Sequence, residues 1–447
     1  MRNLHCIARY TCVVAALTLA ANAQPPASPD KANPGESVAK PASTDTKTYL
    51  ERTITITGSA RARWEATRGS DFSLTTADSY LATRVRLGVA FQPVPWLRFY
   101  GEAQDARALF YKVNPGTGVS DPFDLRQAYV EGGVLEGNGL KLRMGRQDLV
   151  FGAGRLIGTG DWGPTKTYDV TRATLTTRAF KLDLVGGSQI LADPTRMDRN
   201  RPGERFYVAY SVFGHLIPGA SIEPYFMAKT ALNVKSKDGK LGDADTLYAG
   251  GRVAGSIRGV FEYNFEGVRE AGDYSSDVVR AWGYAAGGGW AISKHGWRPH
   301  LSSDYVFATG DSGVKDGTHQ SFDYLYGLQQ PLNSMSGQFS WRNTKNWRAG
   351  GDFTPSKKIK VKVDYRNYWL ATTMDGLYSA TGTRTVFNTK ATSGHVGEGI
   401  DAQVIVSVTK KTVVGFGFGN LAPGSYLKQS GKTTGYTYPS LYLVRQI

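Results

Sequence analysis

The side chains whose types and spacing most clearly suggest a chemical role are arginines and lysines that recur at every second position. Arg61 and Arg63 alternate with small residues, and Lys360 and Lys362 alternate with apolar ones. A planar guanidinium binds a carboxylate through two parallel hydrogen bonds, and rows of cations raise the local concentration of anions. This spacing therefore predicts contact with anions along a surface, with no indication of catalysis.

A glycine-rich stretch, GRQDLVFGAGRLIGTGDWG at residues 145–163, tests a second kind of chemistry. A dinucleotide fingerprint needs two residues between its second and third glycines, but three separate Gly154 from Gly158, and no helical pattern follows. The chain also contains no GxxxxGK[ST] phosphate loop. We interpret the stretch as the end of a strand followed by a glycine-rich bend and a loop.

Motifs for hydrolysis and metal binding are weak. GDSG at 310–313 copies the nucleophile stretch of chymotrypsin-like proteases, but no histidine lies in a matching context. The histidines show no H-x-x-x-H spacing, and KDGKLGDAD at 237–245 lacks the glutamate of an EF-hand loop. We therefore predict no catalytic residue, no metal site and no cofactor, with 237–245 interpreted as a solvated loop in preference to a Ca²⁺ site.

The elements that carry the basic residues have a period of two. In TITITGSARARW (53–64) and KIKVKVDYRNYW (358–369), apolar or small residues alternate with polar and charged ones. Such segments are half-buried strands. A soluble sandwich would direct the charged face to bulk water, whereas an outer-membrane barrel would direct it to the lumen and the apolar face to lipid.

The connections favour the barrel. Strands are predicted to start near 52, 80, 96, 122, 139, 167, 179, 204, 219, 245, 258, 278, 297, 345, 358, 396, 412 and 436. Short and long links alternate between them, as in bacterial outer-membrane barrels. The predicted fold class is all-β, a transmembrane antiparallel β-barrel of about 18 strands with periplasmic termini and long extracellular loops.

The N-terminal residues are typical of a targeting signal. A positive start, a short apolar run and ANA ending at Ala23 predict a secretory signal peptide over residues 1–23, cleaved near Ala23. Residues 24–50 are rich in Pro, Ala, Ser and Lys, as in a disordered periplasmic leader, and the barrel would occupy 51–447. Cleavage would remove both cysteines, Cys6 and Cys12, and two arginines, changing the net charge from +15 to 15 − 2 = +13. The predicted location is the outer membrane of a Gram-negative bacterium.

Several motifs resemble those of a known family. DPFDLRQAYVEGG, LKLRMGRQDLVFGAGRLIGTGDW and YDVTRATL are similar, in order, to segments of the alginate-export family of outer-membrane β-barrels, and so is GEGIDAQVIVSVTKKTVVGFGFGNLAPGSYLK. The resemblance spans most of residues 52–447. It implies an eighteen-stranded barrel that passes an anionic polysaccharide across the outer membrane.

The predicted inward face is strongly basic. The substrate pathway is expected along Arg61, Arg63, Arg84, Arg86, Arg126, Arg143, Arg146, Arg155, Asp148, Asp161, Asp169, Lys360, Lys362 and Arg366. Within this set, Arg126, Arg143, Arg146 and Arg155 with Asp148, Asp161 and Asp169 are the expected constriction network. The alternative is that these groups pair across strands merely to neutralise lumen charges. Arg146 also falls on the face of Leu142 and Met144 unless a bulge intervenes.

These features together predict an anion-selective channel for an alginate-like polysaccharide or other anionic solutes. A general or small-anion porin of the phosphate type is the alternative, and an outer-membrane barrel enzyme is less favoured. The expected partners are anionic polysaccharide or small anions, outer-membrane lipid and lipopolysaccharide, the barrel-assembly machinery and periplasmic export proteins. Nucleic acid is not expected, because the basic residues alternate along strands and do not cluster on one exposed face.

Overall fold

The computed structural model describes residues 53–447 except 74–75, 114, 117, 161–164, 215, 314–315, 329–331 and 333–336. The predicted signal peptide and leader, residues 1–50, lie outside the described residues. Across the described part of the chain, no helix has both the length and the apolar character needed to cross a membrane.

Eighteen long strands form one closed antiparallel sheet in the described residues. They are β1 (Ile54–Arg68), β2 (Ala77–Val94), β3 (Leu97–Leu109), β4 (Asp121–Gly133), β5 (Gly139–Gln147), β6 (Tyr168–Thr176), β7 (Lys181–Leu191), β8 (Glu204–Val212), β9 (Ala220–Lys235), β10 (Leu241–Ile257), β11 (Phe261–Tyr274), β12 (Asp277–Ala291), β13 (His300–Ala308), β14 (Thr344–Ser356), β15 (Ile359–Trp369), β16 (His395–Thr409), β17 (Thr412–Pro423) and β18 (Tyr436–Gln446). Each strand pairs with the next, and β18 pairs with β1, with Leu441 opposite Trp64. The predicted fold is confirmed, and every predicted strand start lies within four residues of the observed one.

Short turns predominate at one end of the barrel and long loops at the other, although the two-residue turn at 275–276 lies at the long-loop end. The turns include 95–96, 357–358 and 410–411. Three long segments lie at the opposite end: loop A (residues 148–167), loop B (309–343) and loop C (370–394). With an even number of strands, both ends of the sheet lie on the short-turn side, which is the periplasmic side in bacterial barrels.

Alternation along β2 shows how the sequence sets the two faces. Val85, Leu87 and Val89 are exposed on the outside, whereas Arg84, which precedes Val85, is buried and Arg86 between Val85 and Leu87 is half-buried. Aliphatic side chains that would be poorly placed against water are well placed against acyl chains, and the intervening polar side chains then line the lumen.

Tryptophans mark the ends of the strands, as aromatic girdles do. Trp96 and Trp297 are exposed in or beside short turns, and Trp290 is exposed near the same end of β12. Trp347 and Trp369 lie near the long-loop ends of β14 and β15, while Trp162 is outside the described residues. Indole rings at these levels anchor a barrel at the headgroup regions.

The long loops pack inside the barrel and form two apolar clusters. The larger joins loop A and loop B to the inner wall formed by β6–β13, with Leu149, Ile157 and Phe322 almost fully buried. The smaller joins loop C and the short helix Ser425–Gln429 to β15–β18. The inner face of β1–β5 contributes to neither cluster, so apolar loop packing narrows the lumen from the opposite sides.

Candidate functional site

Basic side chains line the inner face of β1–β5, which we call the basic wall. Its members are Arg61, Arg63, Arg84, Arg86, Arg98, Arg126, Lys141 and Arg143. Arg61 and Arg84 are directly opposite each other in the register of β1 and β2. Like charges in this position repel, and acidic side chains on the same face balance part of the wall, since Glu65 pairs with Arg63.

Arg126 is the centre of the predicted constriction network. Its Nη2 donates to both oxygens of Asp148, at 2.8 and 2.7 Å, and its Nη1 donates to Glu102. The structure thus brings together Arg126 and Asp148, two of the residues expected to form this network. Arg143 lies on the same wall, nearer to the short turns. There Glu131 accepts hydrogen bonds from Arg143 and Arg98.

Loop A crosses from the basic wall to loop B. At one end, Thr165 Oγ1 accepts hydrogen bonds from Arg86 Nη2 at 2.9 Å and Arg126 Nε at 2.7 Å. The neighbouring Lys166 Nζ donates to the carbonyls of Tyr326 and Gly327 in loop B, each at 2.9 Å. Loop A is therefore held from both sides and forms a transverse constriction.

The strand that leads into loop A ends at a position that requires glycine. Gly145 has φ of +120°, and a Cβ there would lie 2.3 Å from the carbonyl oxygen of Ala128 on β4. A larger residue would push β5 away from β4 just before the chain turns into the lumen. The glycines of the GRQDLVFGAGRLIGTGDWG stretch thus shape the entry of a lumen loop.

Burial gives the Lys166 ammonium an unusually low pKa. The low-polarity surroundings and the nearby Arg201 lower the pKa of Lys166 to about 8, although Asp323 opposes this shift. A lysine with this pKa loses part of its charge at mildly alkaline pH. The constriction therefore contains a cation whose charge decreases as the pH becomes mildly alkaline.

Carboxylates line the inner face of β8, β9 and β11, which we call the acidic wall. Its members are Glu204, Glu223, Glu266 and Glu270. Each accepts a hydrogen bond from a tyrosine hydroxyl: Tyr326, Tyr210, Tyr225 and Tyr248 respectively. Loop A therefore lies between the basic and the acidic wall. The acidic wall also holds cations, with Arg252 at 2.5 Å from Glu223 and Lys229 at 3.7 Å from Glu204.

Lysines and arginines on β15 are paired with carboxylates. Lys360 reaches Asp352 at 3.0 Å, Lys362 reaches Asp364 at 3.1 Å, and Arg366 reaches Asp401 at 3.1 Å. All three were predicted as pathway residues. The pairs of Lys360 and Arg366 cross between strands, as the alternative of charge neutralisation expects, whereas Lys362 and Asp364 lie on the same strand.

Two expected pathway residues belong to a different face. Arg146 is opposite Ala128 and Asp169 in the register, on the same face as the exposed Met144, so no bulge returns it to the lumen face. Its guanidinium contacts Asp169 at 3.1 Å and the carbonyl of Leu125 at 2.9 Å. We therefore leave Arg146 and Asp169 out of the proposed pathway.

The remaining predicted residues are separated from Arg126. Arg155 is buried under loop B, with its guanidinium 3.9 Å from Glu266 of the acidic wall and over the ring of Trp341. Asp161 lies outside the described residues. Among the described residues, the network expected from the sequence is thus resolved into four separate pairs: Arg126 with Asp148, Arg146 with Asp169, Arg143 with Glu131, and Arg155 with Glu266.

Sequence reasoning missed several groups that matter for this geometry. Thr165 and Lys166 lie in a loop and carry no periodic signal. Arg348, which pairs with Asp304 and with Asp364 at 2.7 Å, was detectable in principle from the alternation of WRAGGD on β14. Glu131 has a similar signal on β4, although a register shift there disturbs the alternation.

Comparison with known proteins agrees with the geometry. Residues 52–438 match the family described as alginate export. The chain belongs to the alginate-export family. It is an outer-membrane channel, as the family match and the closed barrel indicate together. No individually curated protein matches the sequence significantly.

Solved structures share the fold at low sequence identity. OpdQ of Pseudomonas aeruginosa has a TM-score of 0.60 and 11% identity, covering 90% of this chain and 99% of its own. OpdO of the same organism has a TM-score of 0.58 and 10% identity, with coverages of 89% and 97%. OccAB1 of Acinetobacter baumannii has a TM-score of 0.58 and 9% identity, with coverages of 88% and 96%. Identities this low establish a shared barrel architecture only.

Proposed function

We propose that this family member is an anion-selective channel whose cargo is an anionic polysaccharide of the uronic-acid type or another anionic solute. The observation that carries the proposal is the basic wall, in particular Arg61 opposite Arg84. A uronic-acid polymer carries one carboxylate per sugar. Successive arginines offer it a series of weak sites, which favour entry without trapping the chain.

The position of loop A supports selection by charge. Surface charges are screened beyond about 8 Å at physiological salt, so fixed cations select ions only where a passage is narrow. Loop A narrows the lumen beside Arg86 and Arg126, to which Thr165 is hydrogen-bonded. The basic wall and the constriction therefore coincide.

The rest of the proposal follows from the sequence and the family. Residues 1–23 would direct secretion and residues 24–50 would form a periplasmic leader. The barrel-assembly machinery would insert the chain among outer-membrane lipid and lipopolysaccharide, and periplasmic export proteins would deliver a polymer. We propose transport without catalysis, which is consistent with membership of a transport family.

Planar-bilayer recording tests the proposal. The R61Q/R84Q double variant should lower the anion-to-cation permeability ratio by about twofold or more at low salt, where screening is weakest. R205Q/R280Q removes the same charge from exposed, outward-facing positions and should leave the ratio unchanged. Cation preference in the wild-type channel would refute anion selectivity.

Oligouronates of increasing length then identify the cargo. A polymer pathway should show block that strengthens with chain length, and that weakens in R61Q/R84Q. Anion preference without any block would favour the second candidate, a general or small-anion porin. Adding phosphate in increasing concentration and measuring its effect on the channel current would then distinguish a phosphate-type porin from a general one.

A further inference from the structure

Three aspartates converge at the long-loop end of the barrel. Asp121 and Asp124 lie at the start of β4, and Asp198 lies in the connection between β7 and β8. Each offers a carboxylate oxygen, and the three oxygens are all within 4.8 Å of one another. Asp124 and Asp198 are 74 positions apart, so no local spacing could have predicted the cluster.

One of these oxygens lacks a partner. Asp121 is 3% exposed, and its Oδ1 is buried with no hydrogen-bond partner among the described residues. By contrast, Asp124 accepts hydrogen bonds from the backbone N–H of Asp198 and from Arg146, and Asp198 Oδ1 accepts one from the N–H of Asp193 at 2.7 Å. A buried carboxylate oxygen without a hydrogen bond is costly, and a bound cation would offset that cost.

Nearby cations do not balance the cluster. Arg107 is paired with Asp105 at 2.8 Å, and Arg196 is paired with Asp193 at 2.5 Å. Among the described residues, Arg146 is the cation that contacts this cluster, with its Nη1 3.4 Å from Asp124 Oδ1. The same guanidinium also pairs with Asp169.

We propose that Asp121, Asp124 and Asp198 form a binding site for a hard divalent cation, with Ca²⁺ as the best fit. Ca²⁺ takes oxygen ligands at about 2.3–2.6 Å, so oxygens on opposite sides of one ion are separated by about 4.8 Å. The observed spacing of the three oxygens meets this limit. Water molecules would complete the coordination, as they do in many calcium sites.

The position of the site indicates its effect. Pairing between β4 and β5 covers only Ala128–Gly133 of β4, because β5 ends where loop A begins. The upper part of β4 is therefore without a β5 neighbour, and the connection at 192–203 packs there through Asp198. A bound cation would fasten that connection to β4 beside the opening through which loop A enters the lumen.

Calcium binding by the full chain in detergent tests the proposal. After removal of divalent ions, equilibrium dialysis with ⁴⁵Ca²⁺ should show one saturable site with Kd of about 10⁻⁴–10⁻³ M, as in extracellular calcium modules. D121N and D198N should each weaken binding by about tenfold or more, because ligand charge sets the affinity. D238N is the matched control, since Asp238 is at another loop and pairs with Lys240.

Limited trypsin digestion gives a second readout. Arg196 and Arg199 are exposed on either side of Asp198, and Ca²⁺ should slow cleavage there in the wild type and in D238N but not in D198N. If D121N fails to form a heat-modifiable barrel, D198N, which changes only a loop residue, carries the test. No saturable Ca²⁺ binding in the wild type, or equal affinity in D198N, would overturn the site.

Discussion

Thr165 Oγ1 accepts a 2.7 Å hydrogen bond from Arg126 Nε, and the same oxygen accepts one from Arg86 Nη2. One hydroxyl of loop A thus joins two cations of the basic wall. Arg126 is also held by Asp148, at the start of loop A, and by Glu102 on β3. The wall that would attract anions and the loop that narrows their path are therefore parts of one hydrogen-bonded unit.

Replacing Thr165 with valine should loosen loop A. The substitution keeps the side-chain shape but removes the acceptor for both arginines, which should lower stability by about 1 kcal/mol. Single-channel recording should show a larger conductance with more current noise than the wild type. T381V, at an exposed position in loop C, should behave as wild type. Wild-type noise and conductance in T165V would show that this hydroxyl does not hold the constriction.

Raising the pH should weaken anion preference through Lys166. Its pKa of about 8 lies below the usual 10.5, so the ammonium at the constriction is neutralised as the pH rises through 8. The anion-to-cation permeability ratio should fall between pH 7 and about pH 9 in the wild type. K166R keeps its charge throughout this range and should give a flat profile. A decline of equal size in K166R would assign the titration to another group.

The same pKa shift sets the sign of a stability change. Between about pH 8 and 10.5 the unfolded chain binds more protons at Lys166 than the native protein does. The contribution of this group to the free energy of unfolding therefore increases as pH rises through that window. Urea unfolding of the wild type and K166R, compared at pH 7 and about pH 10, should show this increase only in the wild type.

The alternation of side chains predicted the barrel well because lipid and water act on every strand. Each strand repeats the same pattern, so eighteen weak signals support one another, and errors at strand starts stay within four residues. Alternation also placed Arg146 on the face of Leu142 and Met144, where the structure has it. Its assignment to the substrate pathway required a bulge that the register of β5 does not contain.

Contacts of the lumen loops were beyond sequence reasoning for a different reason. Lys166 and Tyr326 are 160 positions apart, and neither has a periodic neighbourhood that would pair them. Their contact depends on how far two irregular loops extend into a barrel of this diameter. Asp121, Asp124 and Asp198 show the same limit, since their side chains meet only where the connection between β7 and β8 packs against β4.

Gly327 should be sensitive to a single added methyl group. A Cβ there would lie 1.8 Å from the carbonyl oxygen of Arg155, so Gly327→Ala must separate loop B from loop A. Overpacking of this kind costs about 1–3 kcal/mol, and the constriction should become less regular. G101A adds a methyl group where nothing lies within 4 Å and should leave both thermal unfolding and conductance unchanged. Identical behaviour of the two variants would contradict the close contact of loops A and B.

Replacing Leu87 with arginine should show whether the exposed apolar face of the barrel contacts lipid. Leu87 is 55% exposed near the middle of β2, and a cation at the bilayer midplane destabilises a barrel by about 2–4 kcal/mol. Leu109 also faces outward but ends β3 near the long loops, where the cost should be about 0–1 kcal/mol. Urea unfolding of L87R and L109R in lipid vesicles should show this difference. Equal losses at the two positions would mean that depth in a bilayer does not set the cost, and the outward face would need another environment.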